Sequence, residues 1–315
     1  MFATNGIAVA ASGTVAPAAS GTVAPAAPAE LDEHRMRREL RQRSERIERS
    51  QRRERDATSR HGRTPVLFLH GWGVGPSSYT SPLARLGALG CDVTAPAQPG
   101  FGGRASLPAD DCNFAGYARW AAAHLDELGV DEPVVVVGHS FGGGVAIQFA
   151  HDHPERVRAL VVCNGVGGFT GSGSIPGAVI SERPWWEWGR QIGADLLSLP
   201  GITRVLPALI GQALPNLVTN PMAMWRVGEF VRRAHLLEEV SAVARRLPVT
   251  LVWSDRDHLV PSVGFTALCR AAGIEGWVVP GHHSWLIAEP RRFADVVWRA
   301  MVDAGVLEAR LAAAV

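Results

Sequence analysis

The chain has 315 residues, 47% of them hydrophobic, and a formal net charge of +1 at pH 7; this length can bury one large core together with a smaller domain. All of its basic residues are arginine, and over most of the chain acidic residues balance them, which argues against a general polyanion-binding role and a nucleic-acid partner. Four widely separated cysteines, a start without a basic leader, and the lack of any run of about 18 apolar residues favour a soluble cytoplasmic protein with free thiols.

The first 60 residues divide into two segments of unusual composition. Residues 1–30 are rich in Ala, Gly, Pro, Ser and Thr and repeat the motif ASGTVAPA, which predicts a disordered tail because such a segment buries too little apolar surface. Residues 31–60 are dense in Arg and Glu, with i,i+4 pairs such as Glu39 and Arg43, and predict a solvated helix with too narrow an apolar stripe for a core. The alternative to a solvated helix is one that docks on an anionic surface or partner. Met36 is an alternative to Met1 as the first residue of the protein.

From residue 61 onward, short β-branched runs alternate with helical patterns. This alternation predicts an α/β fold with a mostly parallel central sheet flanked by helices. The predicted strands are Pro65–Gly71, Cys91–Ala97, Pro133–Gly138, Val157–Gly165, Val249–Ser254 and Gly276–Gly281. The predicted helices are Phe114–Gly129 with Asn113 as its cap, Phe141–His151, Val263–Gly273 and Pro290–Gly305.

The alternation lapses between Phe169 and Leu247, where tryptophans accompany helix-like runs. These runs are interrupted in the sequence by four prolines, at positions 200, 207, 215 and 221, and we interpret them as short helices broken at each proline. The expected organisation is a core in two parts, residues 61–168 and 248–315, with an inserted helical cap at 169–247.

The first motif with chemical meaning is Gly138–Gly142, which reads Gly-His-Ser-Phe-Gly and matches G-x-S-x-G. A predicted strand precedes it and a predicted helix follows it, which is the context that the motif requires. A sharp strand-to-helix turn exposes the serine hydroxyl, and side chains at the two glycines would collide across the turn. The motif therefore predicts Ser140 as a nucleophile.

A serine hydroxyl needs a base to take its proton and a third group to orient that base. Two later strands end in suitable residues: one in Asp255 and Asp257, the other in His282 and His283. The chain order is then Ser, Asp, His, and these patterns leave both aspartates and both histidines open.

With these motifs the chain resembles the α/β-hydrolase superfamily from about residue 64 to residue 305. The resemblance implies that Asp257 is the acid, as the second acidic residue of a D-x-D-like turn followed by Val-Pro, and that His283 is the base of a G-x-H-S-W-L pattern. It also implies an oxyanion hole made by the backbone N–H groups of Trp72 and Phe141, with the two side chains shaping the pocket.

Other residues of these motifs receive supporting roles. We expect His70 and His139 to hold loops by hydrogen bonds, and Ala97 stands where the superfamily commonly has an aspartate, which puts the rigidity of that loop in doubt. Four tryptophans are candidates for the substrate pocket: Trp185, Trp186, Trp188 and Trp285.

The sequence therefore predicts a serine hydrolase that cleaves a carboxylic ester, or a related acyl bond, of a mostly apolar small molecule through an acyl-enzyme. No cofactor or metal is expected, because His151 and His153 have no further ligands at zinc-like spacing. Carbon–carbon bond hydrolysis and cofactor-free haloperoxidase chemistry use the same three residues and stay open, as does a non-catalytic ligand-binding protein on a hydrolase scaffold. No pattern indicates the oligomeric state.

Overall fold

The computed structural model describes residues 62–168 and 201–307, which all lie in one compact unit spanning Arg60–Val315. The predictions for residues 1–30 and 31–60 lie outside the described residues, as do Trp185, Trp186 and Trp188. The predicted boundaries of the core and the cap stay predictions.

Six strands form one sheet in the order β2-β1-β3-β4-β5-β6. Every neighbouring pair is parallel, so the predicted α/β fold with a parallel sheet is confirmed. The strands are β1 (Thr64–Leu69), β2 (Cys91–Thr94), β3 (Val134–His139), β4 (Val157–Cys163), β5 (Val249–Ser254) and β6 (Trp277–Val279).

The central strand β3 explains why this sheet needs two layers of helices. Its six residues, VVVVGH, are all buried, because alternate side chains enter two separate apolar clusters. Val134 and Val136 belong to one cluster, and Val135 and Val137 belong to the other. A strand that is covered on both faces is apolar along its whole length, and β-branched residues suit its extended backbone.

Nine helices of the described ranges cover the two faces. Helices α2, α3, α5, α6 and α7 contribute to the cluster on one face, and α1, α4, α8 and α9 contribute to the other. Their bounds are α1 (Thr80–Ala88), α2 (Phe114–Leu128), α3 (Phe141–Asp152), α4 (Gly201–Thr219), α5 (Pro221–Arg232), α6 (Leu237–Ala244), α7 (Ser262–Ala272), α8 (Trp285–Ala288) and α9 (Pro290–Asp303), with 3₁₀ turns at Pro76–Tyr79, Ala109–Asp111 and Pro154–Arg156. Asn113 caps α2 as predicted, because its side chain accepts a hydrogen bond from the N–H of Gly116.

The helices α4, α5 and α6 lie between β4 and β5 in the chain, and we call them the inserted helices. The interpretation that prolines break the first of them is wrong, since Pro207 and Pro215 both lie inside the continuous helix α4. Both prolines are exposed, so their rings meet solvent rather than the core. Pro215 lacks the N–H that would bond to the carbonyl of Gly211, and the side chain of Gln212 donates to that carbonyl instead, at 3.1 Å.

Two further observations concern the whole described part of the chain. The four cysteines are free thiols, as the sequence analysis expected. In residues 62–168 and 201–307, no helix combines the length and the apolar composition that crossing a bilayer requires.

Candidate active site

The residues singled out in the sequence follow different strands of one parallel sheet. Trp72 follows β1, Ser140 follows β3, Asp257 follows β5 and His283 follows β6. The carboxyl ends of parallel strands meet at one edge of a sheet, where ligands of open α/β folds bind. The topology therefore brings these four positions to the same rim.

Ser140 occupies a strained turn between β3 and α3. Its φ of 55° and ψ of −118° lie in a region that residues with a side chain rarely adopt. Three amides fix its carbonyl oxygen, namely those of Gly143 at 2.9 Å, Val166 at 3.2 Å and Gly144 at 3.3 Å. The turn holds the side chain of Ser140 at the rim, where it lines a cavity.

The two glycines of the motif are required by close backbone contacts. A Cβ at Gly138 would clash with the carbonyl of Gly142, and a Cβ at Gly142 would clash with the carbonyls of Leu69 and His70. The first turn of α3 thus passes directly against the end of β1, and no side chain fits between them.

Asp257 and His283 form a buried hydrogen-bonded pair. The Nδ1 atom of His283 lies 2.8 Å from Oδ2 of Asp257, and both residues are less than 10% exposed. The other carboxylate oxygen, Oδ1, accepts hydrogen bonds from the backbone N–H groups of Leu259 at 2.8 Å and Val260 at 2.9 Å. Because Asp257 contacts Nδ1, the nitrogen of His283 that can act as a base toward a serine hydroxyl is Nε2. His283 lines the same cavity as Ser140.

The environment of Asp257 keeps its carboxyl group ionised. Burial by itself raises the pKa of Asp257, but the charge and hydrogen bond of His283 and the hydrogen bonds from Asn164 and Val260 together lower the pKa below its usual value. A carboxylate in this state can orient an imidazole and stabilise an imidazolium without taking up the proton itself.

The alternative acid and base have other contacts. Asp255 is half-exposed and accepts a hydrogen bond from the N–H of Gly281 at 2.9 Å, so it supports the loop before the histidines. His282 contributes its carbonyl to Ser254, at 3.0 Å, and its ring lies 6.3 Å from that of His258. Of the two aspartates and two histidines, the structure joins Asp257 and His283.

Asn164 belongs to the site, although the sequence analysis did not single it out. It follows β4 with a φ of 48°, and its amide nitrogen lies 2.6 Å from Oδ2 of Asp257 and 2.6 Å from Oγ of Ser254. Its amide oxygen accepts the indole N–H of Trp285 at 2.8 Å, which fixes the orientation of the amide because an indole nitrogen can only donate. The sequence signal that could have identified it is the Asn164-Gly165 pair directly after the apolar run of β4.

The structure places Trp285 differently from the prediction that it lines the pocket. Its side chain is 1% exposed and packs against Phe293, with ring centroids 6.3 Å apart, and it is not among the described residues that line the cavity. The reason is its indole N–H, which needs an acceptor inside the core and finds Asn164 there.

The two residues assigned to the oxyanion hole have different surroundings. Phe141 starts α3, so its backbone N–H has no acceptor within that helix, and its side chain is buried 5.0 Å from the ring of Tyr117 rather than in the cavity wall. This corrects the expectation that Phe141 shapes the pocket. Trp72 does line the cavity, and its indole N–H donates to the carbonyl of Met224 in α5 at 3.0 Å.

His70 is a buried structural residue, as we expected. Its Nε2 accepts the backbone N–H of Gln98 at 2.9 Å, and its Nδ1 lies 2.9 Å from the carbonyl of Gly71. Burial lowers the pKa of His70 to about 4, although the hydrogen bond to Gly71 opposes this shift. The side chain of Gln98 also donates to the carbonyl of His70, at 2.7 Å, so the loop after Ala97 is anchored without the aspartate.

His139 holds loops through both ring nitrogens, as we expected, and it also lines the cavity with its ring 4.9 Å from that of His283. Its Nδ1 lies 2.7 Å from the hydroxyl of Tyr79, and its Nε2 lies 3.1 Å from the carbonyl of His283. Burial, together with the neighbouring His283, lowers the pKa of His139 to about 3.

A cavity of about 470 Å³ opens beside Ser140, and its wall is almost entirely apolar. No acidic or arginine side chain is among the described residues that line it. The inserted helices supply eight of these residues: Val205, Leu206, Ile210, Ala213, Leu214, Leu217, Met224 and Val231.

A few side-chain hydrogen bonds hold the inserted helices against the rim. Besides the Trp72 bond, the buried Asn216 of α4 donates to the carbonyl of Gly73 at 3.0 Å and accepts the N–H of Gly102 at 3.0 Å. Asn220 reaches Ser106 at 2.9 Å. These contacts position the apolar side chains of α4 and α5 over Ser140.

Metal ligands do not come together in the described ranges. Within residues 62–168 and 201–307, no group of three or more His, Cys, Asp or Glu side chains could hold a metal ion. His151 instead contacts Asp152 at 2.8 Å.

Comparison with known proteins agrees with this geometry. The model of the alpha/beta hydrolase family matches residues 66–296. The poly(3-hydroxyalkanoate) depolymerase of Ectopseudomonas oleovorans is 25% identical over 252 residues, which are 75% of this chain and 83% of that protein. The pimeloyl-(acyl-carrier protein) methyl ester esterase of Neisseria meningitidis serogroup C is 28% identical over 213 residues, 62% of this chain and 76% of that one.

A solved structure, the enol-lactonase from Burkholderia xenovorans LB400, superimposes with a TM-score of 0.61 at 16% identity, covering 76% of this chain and 92% of the other. This likeness concerns the fold. The family match spans most of the chain and includes the turn at Ser140, Asp257 and His283, and the protein therefore belongs to the alpha/beta hydrolase family.

Proposed function

We propose that this protein is a serine hydrolase that cleaves a carboxylic ester of an uncharged, mostly apolar molecule. The observation that carries the proposal is the buried hydrogen bond between Asp257 and Nδ1 of His283, in a histidine that lines the same cavity as Ser140. The names of the relatives, among them a methyl ester esterase, support an ester as the substrate.

In the first half of the reaction, Nε2 of His283 removes the proton of the Ser140 hydroxyl as its oxygen attacks the ester carbonyl. Asp257 stabilises the imidazolium that results, because its lowered pKa keeps it as a carboxylate. The backbone N–H groups of Trp72 and Phe141 stabilise the tetrahedral oxyanion, and each such donor contributes about 10²–10³-fold to the rate. His283 then protonates the leaving alcohol, which leaves the acyl group on Ser140.

In the second half, water replaces the alcohol. His283 removes a proton from the water molecule, and the resulting oxygen attacks the acyl-enzyme. The tetrahedral intermediate uses the same two amides, and its collapse releases the carboxylic acid and returns the proton to Ser140.

The cavity wall indicates which substrates fit. Because aliphatic side chains of α4 and α5 surround Ser140 and no acidic or arginine side chain of the described residues joins them, a charged acyl group would lose its hydration without compensation. Apolar acyl groups are therefore favoured, each buried methylene contributing about 0.8 kcal/mol. A series of p-nitrophenyl esters of increasing chain length, compared with succinate half-esters, measures this preference.

The nucleophile is tested by covalent labelling. A fluorophosphonate probe is expected to label the purified protein at Ser140, located by peptide mass spectrometry. Ser140→Ala is expected to abolish both labelling and hydrolysis of p-nitrophenyl butyrate. Unchanged turnover by this variant would remove the proposal.

The base is tested by a matched pair of adjacent histidines. His283→Ala is expected to lower kcat by about 10⁴-fold or more, since the loss of one member disables the whole triad. His282→Ala is the control, and we expect it to retain most of the activity because the imidazole that is hydrogen-bonded to Asp257 is that of His283. Equal losses in the two variants would contradict the assignment of His283.

A further inference from the structure

We propose that Tyr79 and His139 are positioning residues that connect the oxyanion loop to the backbone of the catalytic base. The chain of contacts runs from the N–H of Gly71 through the Tyr79 hydroxyl and the His139 ring to the carbonyl of His283, and we call it the Tyr79–His139 relay. This inference rests on the proposed function, since it assigns a role within the same site.

The chemistry of its two ends determines the direction of every hydrogen bond in the relay. The carbonyl of His283 can only accept, so Nε2 of His139, at 3.1 Å, carries the proton. In a neutral imidazole Nδ1 is then an acceptor, and the Tyr79 hydroxyl at 2.7 Å donates to it. The oxygen of Tyr79 is left to accept the N–H of Gly71 at 3.2 Å. All three bonds are satisfied by one tautomer and one hydroxyl orientation.

The surroundings keep the relay neutral and rigid. Tyr79 is 1% exposed and His139 is 3% exposed, and the pKa of His139, lowered to about 3 chiefly by burial, leaves its ring uncharged at ordinary pH. The Tyr79 ring packs on Phe68 of β1, with centroids 4.8 Å apart. Space is tight as well, because a Cβ on Gly71 would lie 3.2 Å from both the Tyr79 hydroxyl and Nδ1 of His139.

Both ends of the relay are backbone groups next to the reacting atoms. Gly71 precedes Trp72, whose N–H is the proposed oxyanion donor, and the carbonyl at the other end belongs to His283 itself. His139 precedes Ser140 in the chain. The relay therefore holds the oxyanion donor, the nucleophile and the base at fixed separations, although neither Tyr79 nor His139 exchanges a proton with the substrate.

The oxyanion end is tested with Tyr79→Phe, which removes one buried hydroxyl and keeps the ring. We expect kcat for p-nitrophenyl butyrate to fall by about 10–100-fold with KM unchanged, because a displacement of about 1 Å at a reacting group can reduce the rate 10²-fold. The inhibition constant of phenylboronic acid, which forms a tetrahedral adduct on the serine, is expected to rise by the same factor. The acid limb of the pH profile of kcat/KM stays in place, since the bond from His139 to His283 remains.

The chain contains a matched control for this deletion. Tyr117 is the only other tyrosine. It is also buried, and its hydroxyl donates one buried hydrogen bond, to the carbonyl of Pro99 at 2.8 Å, as the Tyr79 hydroxyl donates one to His139. Tyr117→Phe is expected to lose a similar amount of stability and to retain the kcat and the boronic acid affinity of the wild type. This control separates the loss of a buried hydrogen bond from the loss of the relay.

The base end is tested with two replacements of His139. His139→Gln places an amide N–H near the position of Nε2 and is expected to preserve the acid limb of the pH profile. His139→Asn reaches only the position of Nδ1, so the carbonyl of His283 loses its donor. The loosened His283 then bonds less well to Asp257, which lowers the pKa of His283 and moves the acid limb to lower pH.

The outcomes separate the two proposals. If Tyr79→Phe and Tyr117→Phe have the same kcat and the same boronic acid affinity, while the wild type hydrolyses esters and is labelled at Ser140, the relay is overturned and the proposed function stands. Identical acid limbs in the Gln and Asn variants of His139 overturn the base end of the relay. A wild type that neither hydrolyses esters nor reacts with the fluorophosphonate overturns the proposed function, and the relay with it.

Discussion

Two buried neutral histidines make the stability of this protein sensitive to mild acid. Burial lowers the pKa of His70 to about 4 and that of His139 to about 3, from an ordinary value of 6.5. Below pH 6.5 each of these side chains takes up a proton in the unfolded chain but not in the folded one. The free energy of unfolding therefore falls as the pH decreases below 6.5, and the fall levels off only at the folded pKa values.

The size of the effect follows from the same values. One pKa unit corresponds to about 1.4 kcal/mol, so lowering the pH from 7 to 5 removes about 2 kcal/mol for each histidine and about 4 kcal/mol for both. A domain is typically stable by only about 5–15 kcal/mol. The predicted loss is thus a large part of the total, and it occurs in a pH range where Asp257, with its lowered pKa, stays ionised.

The assay is urea unfolding at pH 7 and at pH 5, with His70→Gln beside the wild type. A glutamine can still accept the N–H of Gln98 but has no proton to take up, so we expect this variant to lose only about 2 kcal/mol between the two pH values. The exposed His151 provides the control, since His151→Gln should show the full loss of the wild type. The reasoning is refuted if His70→Gln loses as much stability on acidification as the wild type.

Two further predictions concern the asparagines of the rim. Asn164→Ala should raise the pKa of Asp257, because the hydrogen bond from Asn164 is lost, and should lower kcat by about 10-fold, as expected for a misplaced catalytic group. Asn164→Gly, which tolerates the positive φ, is the comparison in steady-state kinetics. Full activity in both variants would contradict the role of Asn164. Asn216→Ala should cost about 1–3 kcal/mol, because the buried carbonyl of Gly73 loses its donor and the N–H of Gly102 loses its acceptor. It should also speed tryptic cleavage at Arg204 and Arg226 of the inserted helices, and an unchanged cleavage rate would contradict this role.

Patterns along the chain were sufficient for the parallel sheet and for the serine turn after β3, whereas the choice of Asp257 and His283 needed the family resemblance. A run such as that of β3, apolar throughout and followed by glycines, specifies both a strand buried on two faces and a turn that admits no side chain. The bounds of the strands and helices were predicted less well than their existence. Strand β2 stops at Thr94 rather than at Ala97, and helix α1 (Thr80–Ala88) was absent from the predicted elements.

Contacts between distant residues were harder to predict than elements. The hydrogen bonds of Asn164 join positions 90, 93 and 121 residues apart in the chain, and no local pattern reports such a meeting. Trp285 was a candidate for the pocket, but its indole N–H required a buried acceptor. The helix through Pro207 and Pro215 shows a third limit, since an exposed proline can be accommodated when a nearby side chain replaces the missing donor.

The close approach of Gly142 to Leu69 and His70 has a consequence for how this protein can change. Where the helix after the nucleophile meets the first strand, a single added methyl group would separate the two layers of the molecule and tilt the serine at once. Folding and reactivity are therefore under selection at the same few atoms, and neither can drift without the other. In the inserted helices, by contrast, a Cβ on Gly211 would meet no atom within 4 Å, so under the proposed function the range of accepted substrates can change there while the turn is preserved.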